Sequence, residues 1–152
     1  MLTDKKILIQ VPAFNEEKNI ELTISEINKN CKDKFNYNIL VINDGSDDST
    51  KKILNNLNVK VINLIRNRGL GVAFQSGLDY AYFNDYDILV NCDADNQYPA
   101  DKIIELISEL ISKEADIVVG SRNIKNINHF SYTKKKLQKI LLVKDPPLLR
   151  QP

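Results

Sequence analysis

The feature that most constrains the fold is an alternation along the chain of short, largely apolar runs with longer stretches of helical periodicity. Strands that are apolar at consecutive positions have to be covered on both faces, which is typical of parallel sheets joined by right-handed helical crossovers. The predicted strands are residues 6–11, 38–43, 59–65, 87–92 and 116–120. The pattern therefore predicts an α/β fold, with a mostly parallel sheet between two layers of helices.

Helical periodicity fills the segments between these runs. The first predicted helix runs from Glu16 to about Asn30. A short second helix ends at about Leu57, a third covers residues 72–83, and a fourth begins at Pro99 or Ala100. Glu16 and Glu17 favour a helix start because carboxylates are stabilised at the positive end of a helix. Pro12 is expected to end the first strand, because proline cannot donate a hydrogen bond to the sheet.

Unusual polar clusters follow the predicted strand ends. They are residues 12–16, 44–46, 66–69, 93–95 and 120–122. The carboxyl ends of parallel strands lie at one edge of a sheet, and ligands of such folds bind beyond that edge. The sequence therefore predicts a functional site on this rim.

The most specific of these clusters is Asp93-Ala94-Asp95-Asn96-Gln97. In an extended backbone every second side chain faces the same way, so Asp93, Asp95 and Gln97 would aim oxygen-bearing groups at one point. Such ligands suit Mg²⁺ or Mn²⁺, particularly an ion that also holds substrate phosphates. The structural alternative is a solvated loop after a buried strand, which is the commoner meaning of an isolated Asp-x-Asp.

Composition excludes several other classes of function. The 152 residues carry a formal charge of +1, so no net field attracts nucleic acid or anionic membrane. Cys31 and Cys92 lack the spacing of a metal site, and a reduced, cytoplasmic protein fits them best. No apolar stretch approaches the ~20 residues that span a bilayer. The basic run 134–136 and nearby leucines leave peripheral association with the membrane face open.

Three alternative motifs fail on position. Gly69-Leu70-Gly71 would need a third glycine at Phe74 to form a dinucleotide-binding loop, and it follows the third predicted strand instead of the first. A calcium loop starting at Asp93 would need glycine at Tyr98 and glutamate at Ile104. A phosphoaspartyl motif would need threonine at Gln97.

Four motifs in order resemble the family 2 glycosyltransferases with the GT-A fold. They are residues 11–17 (Val-Pro-Ala-Phe-Asn-Glu-Glu), 41–50 (Val-Ile-Asn-Asp-Gly-Ser-Asp-Asp-Ser-Thr), 67–71 (Asn-Arg-Gly-Leu-Gly) and 93–99 (Asp-Ala-Asp-Asn-Gln-Tyr-Pro). Residues 116–122 continue the likeness, which covers roughly residues 6–140. Within the family, the chain looks most like the dolichyl- or polyprenyl-phosphate sugar synthases. The resemblance implies a Rossmann-like three-layer sandwich that forms the nucleotide-binding half of a GT-A fold.

The resemblance also implies roles for individual residues. Those matched to the nucleotide-sugar pocket are Pro12, Ala13, Phe14, Glu16, Asp44, Arg68, Gly69, Gly71, Asp93 and Ala94. Asp44 would read the base, with an Asx-turn as its structural alternative, and Phe14 could instead staple the first helix. Asp95 and Gln97 would hold Mg²⁺ or Mn²⁺ under the diphosphate, and Asp95 and Arg122 are the expected catalytic residues.

The implied reaction is inverting, metal-dependent transfer of a sugar from a UDP- or GDP-sugar to a polyprenyl phosphate or a saccharide. Residues 141–152 do not resemble the continuation of the family. We therefore expect a nucleotide-sugar-binding domain over residues 1–140, followed by an atypical tail that reflects truncation or a frameshift. A non-catalytic nucleotide-sugar-binding fragment without the acceptor half remains the alternative to a working enzyme.

Overall fold

Strands and helices alternate in the computed structural model, which describes residues 4–96 and 99–120. The elements are β1 Ile7–Ala13, α1 Ile20–Cys31, β2 Tyr37–Asn43, α2 Thr50–Leu54, β3 Lys60–Asn63, α3 Leu70–Phe83, β4 Ile88–Asn91 and α4 Lys102–Ser112. All of these lie in the compact unit Met1–Val118. Within the described residues, no helix has the length and apolar character needed to cross a membrane.

The sheet has the strand order β3-β2-β1-β4, and every pairing is parallel. β1 lies between β2 and β4, and all seven of its residues are buried. Such a strand has to be apolar on both faces, which explains the consecutive Ile7, Leu8 and Ile9. The predicted α/β class and parallel sheet are confirmed.

Helices cover the two faces of the sheet. On one face, Ile20, Ile24 and Ile27 of α1 and Ile103 and Ile107 of α4 pack with one set of strand side chains. On the other face, Ala73 and Ala81 of α3 pack against Leu8, Leu40 and Ile42. Burial of each large aliphatic side chain contributes about 1.5–3 kcal/mol, so both helix layers are held mainly by apolar packing.

Pro12 does not end the first strand, contrary to the sequence prediction. β1 continues through Ala13, with Pro12 in register with Ile42 of β2. The Ala13 carbonyl accepts the Asp44 N–H on the β2 side. Because the backbone groups of successive strand residues face opposite neighbours, the backbone nitrogen of Pro12 faces the β4 side. On that side β1 is paired with β4 only from Ile7 to Gln10, so Pro12 has no paired residue in β4. The missing N–H of proline therefore costs no hydrogen bond between strands.

The predicted fifth strand is also absent, since residues 116–120 form no strand. Ile117 and Val119 are 80% and 81% exposed, so the apolar run has neither a neighbouring strand nor a covering helix among the described residues. An apolar run becomes a strand only where a partner completes its hydrogen bonds. Other elements begin or end within a few residues of their predicted bounds.

Gln10 is a fully buried polar residue in the centre of the sheet. Its Nε2 donates to Asn91 Oδ1 of β4 at 2.9 Å, whereas its Oε1 has no hydrogen-bond partner among the described residues. A Cβ added at Gly77 of α3 would lie 1.7 Å from that Oε1. The amide of Gln10 thus fills the space that a side chain at Gly77 would need.

We expect Gly77→Ala to lower the free energy of unfolding by about 1–3 kcal/mol through overpacking. The loss should occur even though alanine normally favours a helix over glycine by ~1 kcal/mol. Urea unfolding of Gly77→Ala, Gln10→Ala and the double variant should show a smaller combined loss than the sum, because Gln10→Ala vacates the contested space. Gly71→Ala is the matched control, since a Cβ there meets nothing within 4 Å. A Gly77→Ala variant as stable as the control would contradict this packing.

Candidate nucleotide-sugar site

The loops that follow β1, β2, β3 and β4 lie on one edge of the sheet, because all four strands are parallel. They carry most of the residues predicted to form the site. Pro12 and Ala13 are buried within β1, so they shape the rim mainly through the backbone. Phe14, the next residue, is 43% exposed, and its ring therefore lies at the surface of the rim and not in the core.

The loops after β1 and β2 are joined by a reciprocal pair of hydrogen bonds. The Asn15 N–H donates to Ser46 Oγ at 3.0 Å, and Asn15 Oδ1 accepts the Asp47 N–H at 3.0 Å. Asn15 has a φ of +56°, a left-handed conformation that asparagine tolerates better than most residues. This residue therefore holds both loops by its backbone and its side chain together.

A second clasp joins the same two loops closer to the helices. The Glu16 N–H donates to Thr50 Oγ1 at 2.9 Å, and the Glu17 N–H donates to Asp48 Oδ2 at 3.1 Å. In return, Glu17 Oε2 accepts the Ser49 N–H at 2.9 Å, and Asp48 Oδ1 accepts the Thr50 N–H at 2.8 Å. Two carboxylates thus satisfy backbone donors around the start of α2.

These contacts change the acidity of Asp48. Loss of surrounding water acts to raise the pKa of its carboxyl, but the hydrogen bonds from Thr50 and Glu17 outweigh that effect and hold the pKa below its usual value. Glu16, by contrast, directs its side chain to α1. Its Oε2 accepts from Asn19 Nδ2 at 2.9 Å, and its carbonyl accepts the Ile20 N–H.

Asp44 links the loop after β2 to the loop after β3. Its side chain is buried, with 4% exposure, and Oδ1 and Oδ2 accept the N–H groups of Arg68 and Gly69, each at 2.8 Å. Gly69 has a φ of +87°, which a residue with a side chain adopts only under strain. The carboxylate of Asp44 therefore sets the path of the chain into α3, while the exposed Arg68 is held by its backbone.

Sequence reasoning missed the residues that bring the loops after β2 and β3 together. A Cβ at Gly45 would lie 2.3 Å from the backbone carbon of Arg66, so only glycine permits this approach. Asn43 Oδ1 accepts the N–H of Ser46, three residues on, and Asn43 Nδ2 donates to Asn63 Oδ1 of β3. The Asp44-Gly45 pair is typical of a tight turn and so indicated a special role for Gly45. Asn43 gave no such indication, because it is the last residue of an apolar run.

A depression of about 270 Å³ opens beside this contact. It is lined by Asn43, Gly45, Ser46, Lys51, Asn63, Leu64 and Ile65.

Gly71 lies in the first turn of α3, where a side chain would meet no other atom within 4 Å. Space alone therefore does not require glycine at position 71.

The segment 93–96, called here the Asp turn, departs from the extended geometry expected from sequence. β4 ends at Asn91, a turn begins at Ala94, and Asn96 has a φ of +55°. The extended backbone expected over residues 93–96 is therefore absent, and that part of the prediction is wrong. Ala94 is buried between the half-buried Asp93 and Asp95. Gln97 and Arg122 lie outside the described residues.

Two buried residues, Cys92 and Thr23, lie next to the Asp turn. Burial, followed by the nearby charges of Asp93 and Asp95, raises the pKa of the Cys92 thiol to about 11, so it is a neutral core group. Thr23 of α1 donates its Oγ1 hydrogen to the Ala94 carbonyl at 2.9 Å. A polar residue on the buried face of an apolar helix was the sequence signal for this contact, and it went unrecognised.

Within residues 4–96 and 99–120, no cluster of three or more His, Cys, Asp or Glu side chains could hold a metal by itself. The Asp turn offers carboxylate oxygens, the ligand type that Mg²⁺ and Mn²⁺ prefer. Mg²⁺ commonly uses only one or two protein carboxylates and takes its other ligands from water and substrate phosphates. The donor set therefore fits an ion that is shared with a bound diphosphate.

We expect Asp44→Asn to loosen the loop after β3. An amide would place an N–H donor against a backbone N–H donor of Arg68 or Gly69, and loss of a charged acceptor in a buried site costs about 1–3 kcal/mol. Amide hydrogen exchange at Arg68 and Gly69 should become faster, whereas Asp47→Asn, at an exposed position of the neighbouring loop, should leave it unchanged. Equal exchange in the two variants would contradict the role of Asp44.

Asp48 should make stability depend on pH. Its pKa in the folded state is lowered, so its contribution is present above the pKa of the unfolded chain, ~3.9, and is lost as pH falls through the folded value. The difference in free energy of unfolding between wild type and Asp48→Asn should thus be largest near neutral pH and shrink toward pH ~3. Chemical unfolding across this range measures it, with Asp47→Asn as control. A difference that grows on acidification would refute the assignment.

Curated relatives of known name are similar over most of this chain. It is 36% identical to a UDP-N-acetylglucosamine–dolichyl-phosphate N-acetylglucosaminyltransferase of Methanococcus voltae, over 88% of the chain and 59% of the relative. It is 33% identical to a dolichol-phosphate mannosyltransferase of Pyrococcus furiosus, over 88% of the chain and 38% of the relative. The chain thus spans about half the length of such relatives, and their names confirm its likeness to the polyprenyl-phosphate sugar synthase branch.

Solved structures show the same fold. The mannosyltransferase PcManGT from Pyrobaculum calidifontis, in complex with GDP-Man and Mn²⁺, has a TM-score of 0.63 and 22% identity over 82% of this chain and 37% of that one. S. aureus TarS 1–349 in complex with UDP-GlcNAc has a TM-score of 0.61 and 20% identity over 80% of this chain and 38% of that one. The predicted GT-A fold is confirmed.

A family model covers nearly the whole chain. The model for glycosyl transferase family 2 matches residues 8–150. The match includes the three clasped loops and the Asp turn, so the rim described above lies within the family's own segment. This chain belongs to glycosyl transferase family 2.

Proposed function

We propose that the rim binds a nucleotide-diphosphate sugar and that the protein transfers the sugar to a polyprenyl phosphate. The observation that carries the proposal is the joining of the loops after β1, β2 and β3 by side-chain to backbone hydrogen bonds, beside a pair of half-buried carboxylates. A preorganised pocket of this kind binds a ligand without first ordering its own loops. Membership of glycosyl transferase family 2 supports the donor class.

The base would lie against Phe14 and Asp44. A ring exposed at the rim can pack on a nucleobase, and each Asp44 oxygen retains acceptor capacity after accepting one backbone N–H. Uracil N3–H and guanine N1–H are both suitable donors to such an oxygen. The names of relatives and neighbours support either base, since UDP-sugars and GDP-Man both occur among them.

The diphosphate would lie between the loop after β3 and the Asp turn. Gly69 allows close approach of the backbone, Arg68 adds positive charge, and Asp93 would contact the ribose side. Asp95, with Gln97, would hold Mg²⁺ or Mn²⁺, which when bound supplies positive charge against the leaving diphosphate. Arg122 would add a second positive charge on the phosphate side.

The acceptor is proposed from the chemistry and from the names of the relatives. A polyprenyl phosphate is already ionised near neutral pH, so direct displacement with inversion would need little help from a general base. A saccharide hydroxyl would require a carboxylate base. A lipid acceptor would place the protein at the cytoplasmic face of the membrane, where residues 134–136 could contact anionic headgroups.

Asp95→Asn should abolish metal-dependent nucleotide binding if this assignment is correct, because the neutral amide is a weaker ligand for a hard cation. Calorimetry of UDP and GDP, with and without Mn²⁺, provides the measurement. Asp79→Asn is the matched control, since it removes the same charge from an exposed position on α3. Absence of Mn²⁺-dependent binding of either nucleotide by the wild type would refute the donor site.

A second candidate function is nucleotide-sugar binding without transfer. Radiolabelled transfer from a UDP- or GDP-sugar to polyprenyl phosphate separates the two. Product that disappears in Asp95→Asn supports the enzyme, whereas metal-dependent binding with no product supports binding alone.

A further inference from the structure

Thr23 is a polar residue on the apolar face of α1. It lies in the first turn of that helix, in the same buried stripe as Ile20, Ile24 and Ile27, and is 2% exposed. A buried hydroxyl has to find an acceptor, since burial without a hydrogen bond costs several kcal/mol on transfer scales. A helical threonine usually satisfies this need by donating to the carbonyl one turn earlier.

The hydroxyl of Thr23 is directed to the Asp turn instead. It donates to the Ala94 carbonyl at 2.9 Å, across 71 positions of sequence. That carbonyl belongs to the planar peptide group joining Ala94 to Asp95, so its direction fixes the plane from which Asp95 continues. Ala94 itself is 3% exposed and packs in the core. The contact therefore orients a peptide that lies between two carboxylates.

α1 is in turn anchored to the nucleotide loops. The chain enters it through the Glu16 turn, where the Glu16 N–H is bonded to Thr50 and the Glu16 carbonyl accepts the Ile20 N–H. The Thr23 N–H continues the helix by donating to the Asn19 carbonyl at 2.9 Å. One helix turn thus connects the clasped loops after β1 and β2 with the Asp turn after β4.

We infer that Thr23 is a positioning residue that holds the Asp turn in the conformation needed for metal-dependent binding of the nucleotide-sugar, an inference that rests on the proposed donor site. Thr23 does not touch the metal or the nucleotide. It acts on them through the Ala94 peptide, in the way that outer contacts orient metal ligands elsewhere. The contact couples the position of Asp95 to that of α1.

Thr23→Val tests this inference, because valine preserves the shape of threonine and removes only the donor. Its apparent dissociation constant for Mn²⁺, measured by calorimetry in the presence of UDP or GDP, should rise about tenfold. Affinity for the nucleotide without metal should stay unchanged. Amide hydrogen exchange in the Asp turn should become faster even in the absence of any ligand. Thr23→Ser, which restores the hydroxyl, should return both quantities toward wild type.

Ile27→Val is the matched control for stability. Ile27 is fully buried on the same face of α1, one turn further along, and the substitution typically costs about 0.5–1.5 kcal/mol. It should lower the midpoint of thermal unfolding without changing exchange in the Asp turn or Mn²⁺ affinity. If Ile27→Val changes them as much as Thr23→Val does, Thr23 has only a packing role and the inference fails.

The remaining outcomes separate this inference from the proposed function. Wild type that binds nucleotide with Mn²⁺, together with Thr23→Val that binds Mn²⁺ equally well, overturns the inference and leaves the donor site intact. Unchanged exchange in Thr23→Val overturns it whatever the ligand results. If wild type shows no Mn²⁺-dependent binding, the donor site fails and the metal role of Thr23 fails with it. Faster exchange would then mark Thr23 only as a support of the turn.

Discussion

The parallel pairing of β1 with both of its neighbours is the constraint on which the rest of the structure depends. β1 meets β2 along its whole length and β4 along its first four residues, so all the following loops emerge at the same edge. The shorter pairing with β4 has a second effect. It leaves room beside Pro12 and Ala13 for the chain after Asn91 to turn away from the sheet.

The loops after β1, β2 and β3 are joined by side chains that accept backbone N–H groups. Four side chains each accept a backbone N–H from a loop other than their own: Asp44, Asp48, Asn15 and Glu17. The ion pairs Lys29–Glu26, Lys102–Glu105 and Lys113–Glu109 are local pairs within α1 or α4 and its end, at exposed or partly exposed positions where such contacts contribute little. Among these acceptors, the pKa of Asp48 is held below its usual value by its hydrogen bonds from Thr50 and Glu17, so its contacts stabilise the folded chain most when its carboxyl is ionised.

Much of this fold could be predicted from sequence because burial on both faces imposes a simple pattern. Consecutive apolar residues from Ile7 to Ile9 and from Ile39 to Ile42 are too short for a helix and too apolar for a surface strand, so they indicate buried strands. The polar clusters then fall on one edge by geometry. Two predictions were wrong, the strand end at Pro12 and the strand over residues 116–120, because each relied on local sequence alone. Pro12 continues its strand because the neighbouring strand has already departed, and residues 116–120 form no strand because no partner among the described residues covers them.

The candidate site was only partly predictable for a related reason. Motif residues such as Asp44 and Asp95 were recognisable by type and spacing, but the contacts that position them connect distant segments. No local pattern indicates that Thr23 reaches Ala94 or that Gly45 lies against Arg66. The turn after Asp93 likewise depends on burial of Ala94, which the alternation of side chains in an extended strand does not anticipate.

Asp44 fixes the backbone of the loop after β3 without using the side chain of Arg68. Its carboxylate bonds to the backbone of Arg68 and Gly69, so the side chain at position 68 takes no part in the contact. The exposed side chains of Arg66 and Arg68 therefore project from a loop whose shape is fixed by Asp44 and by Asn67, whose Oδ1 accepts the Gly69 N–H. This arrangement suits directed evolution. Libraries confined to positions 66 and 68, with Asp44, Gly45, Asn67 and Gly69 kept, would vary the exposed surface of the rim on an unchanged scaffold.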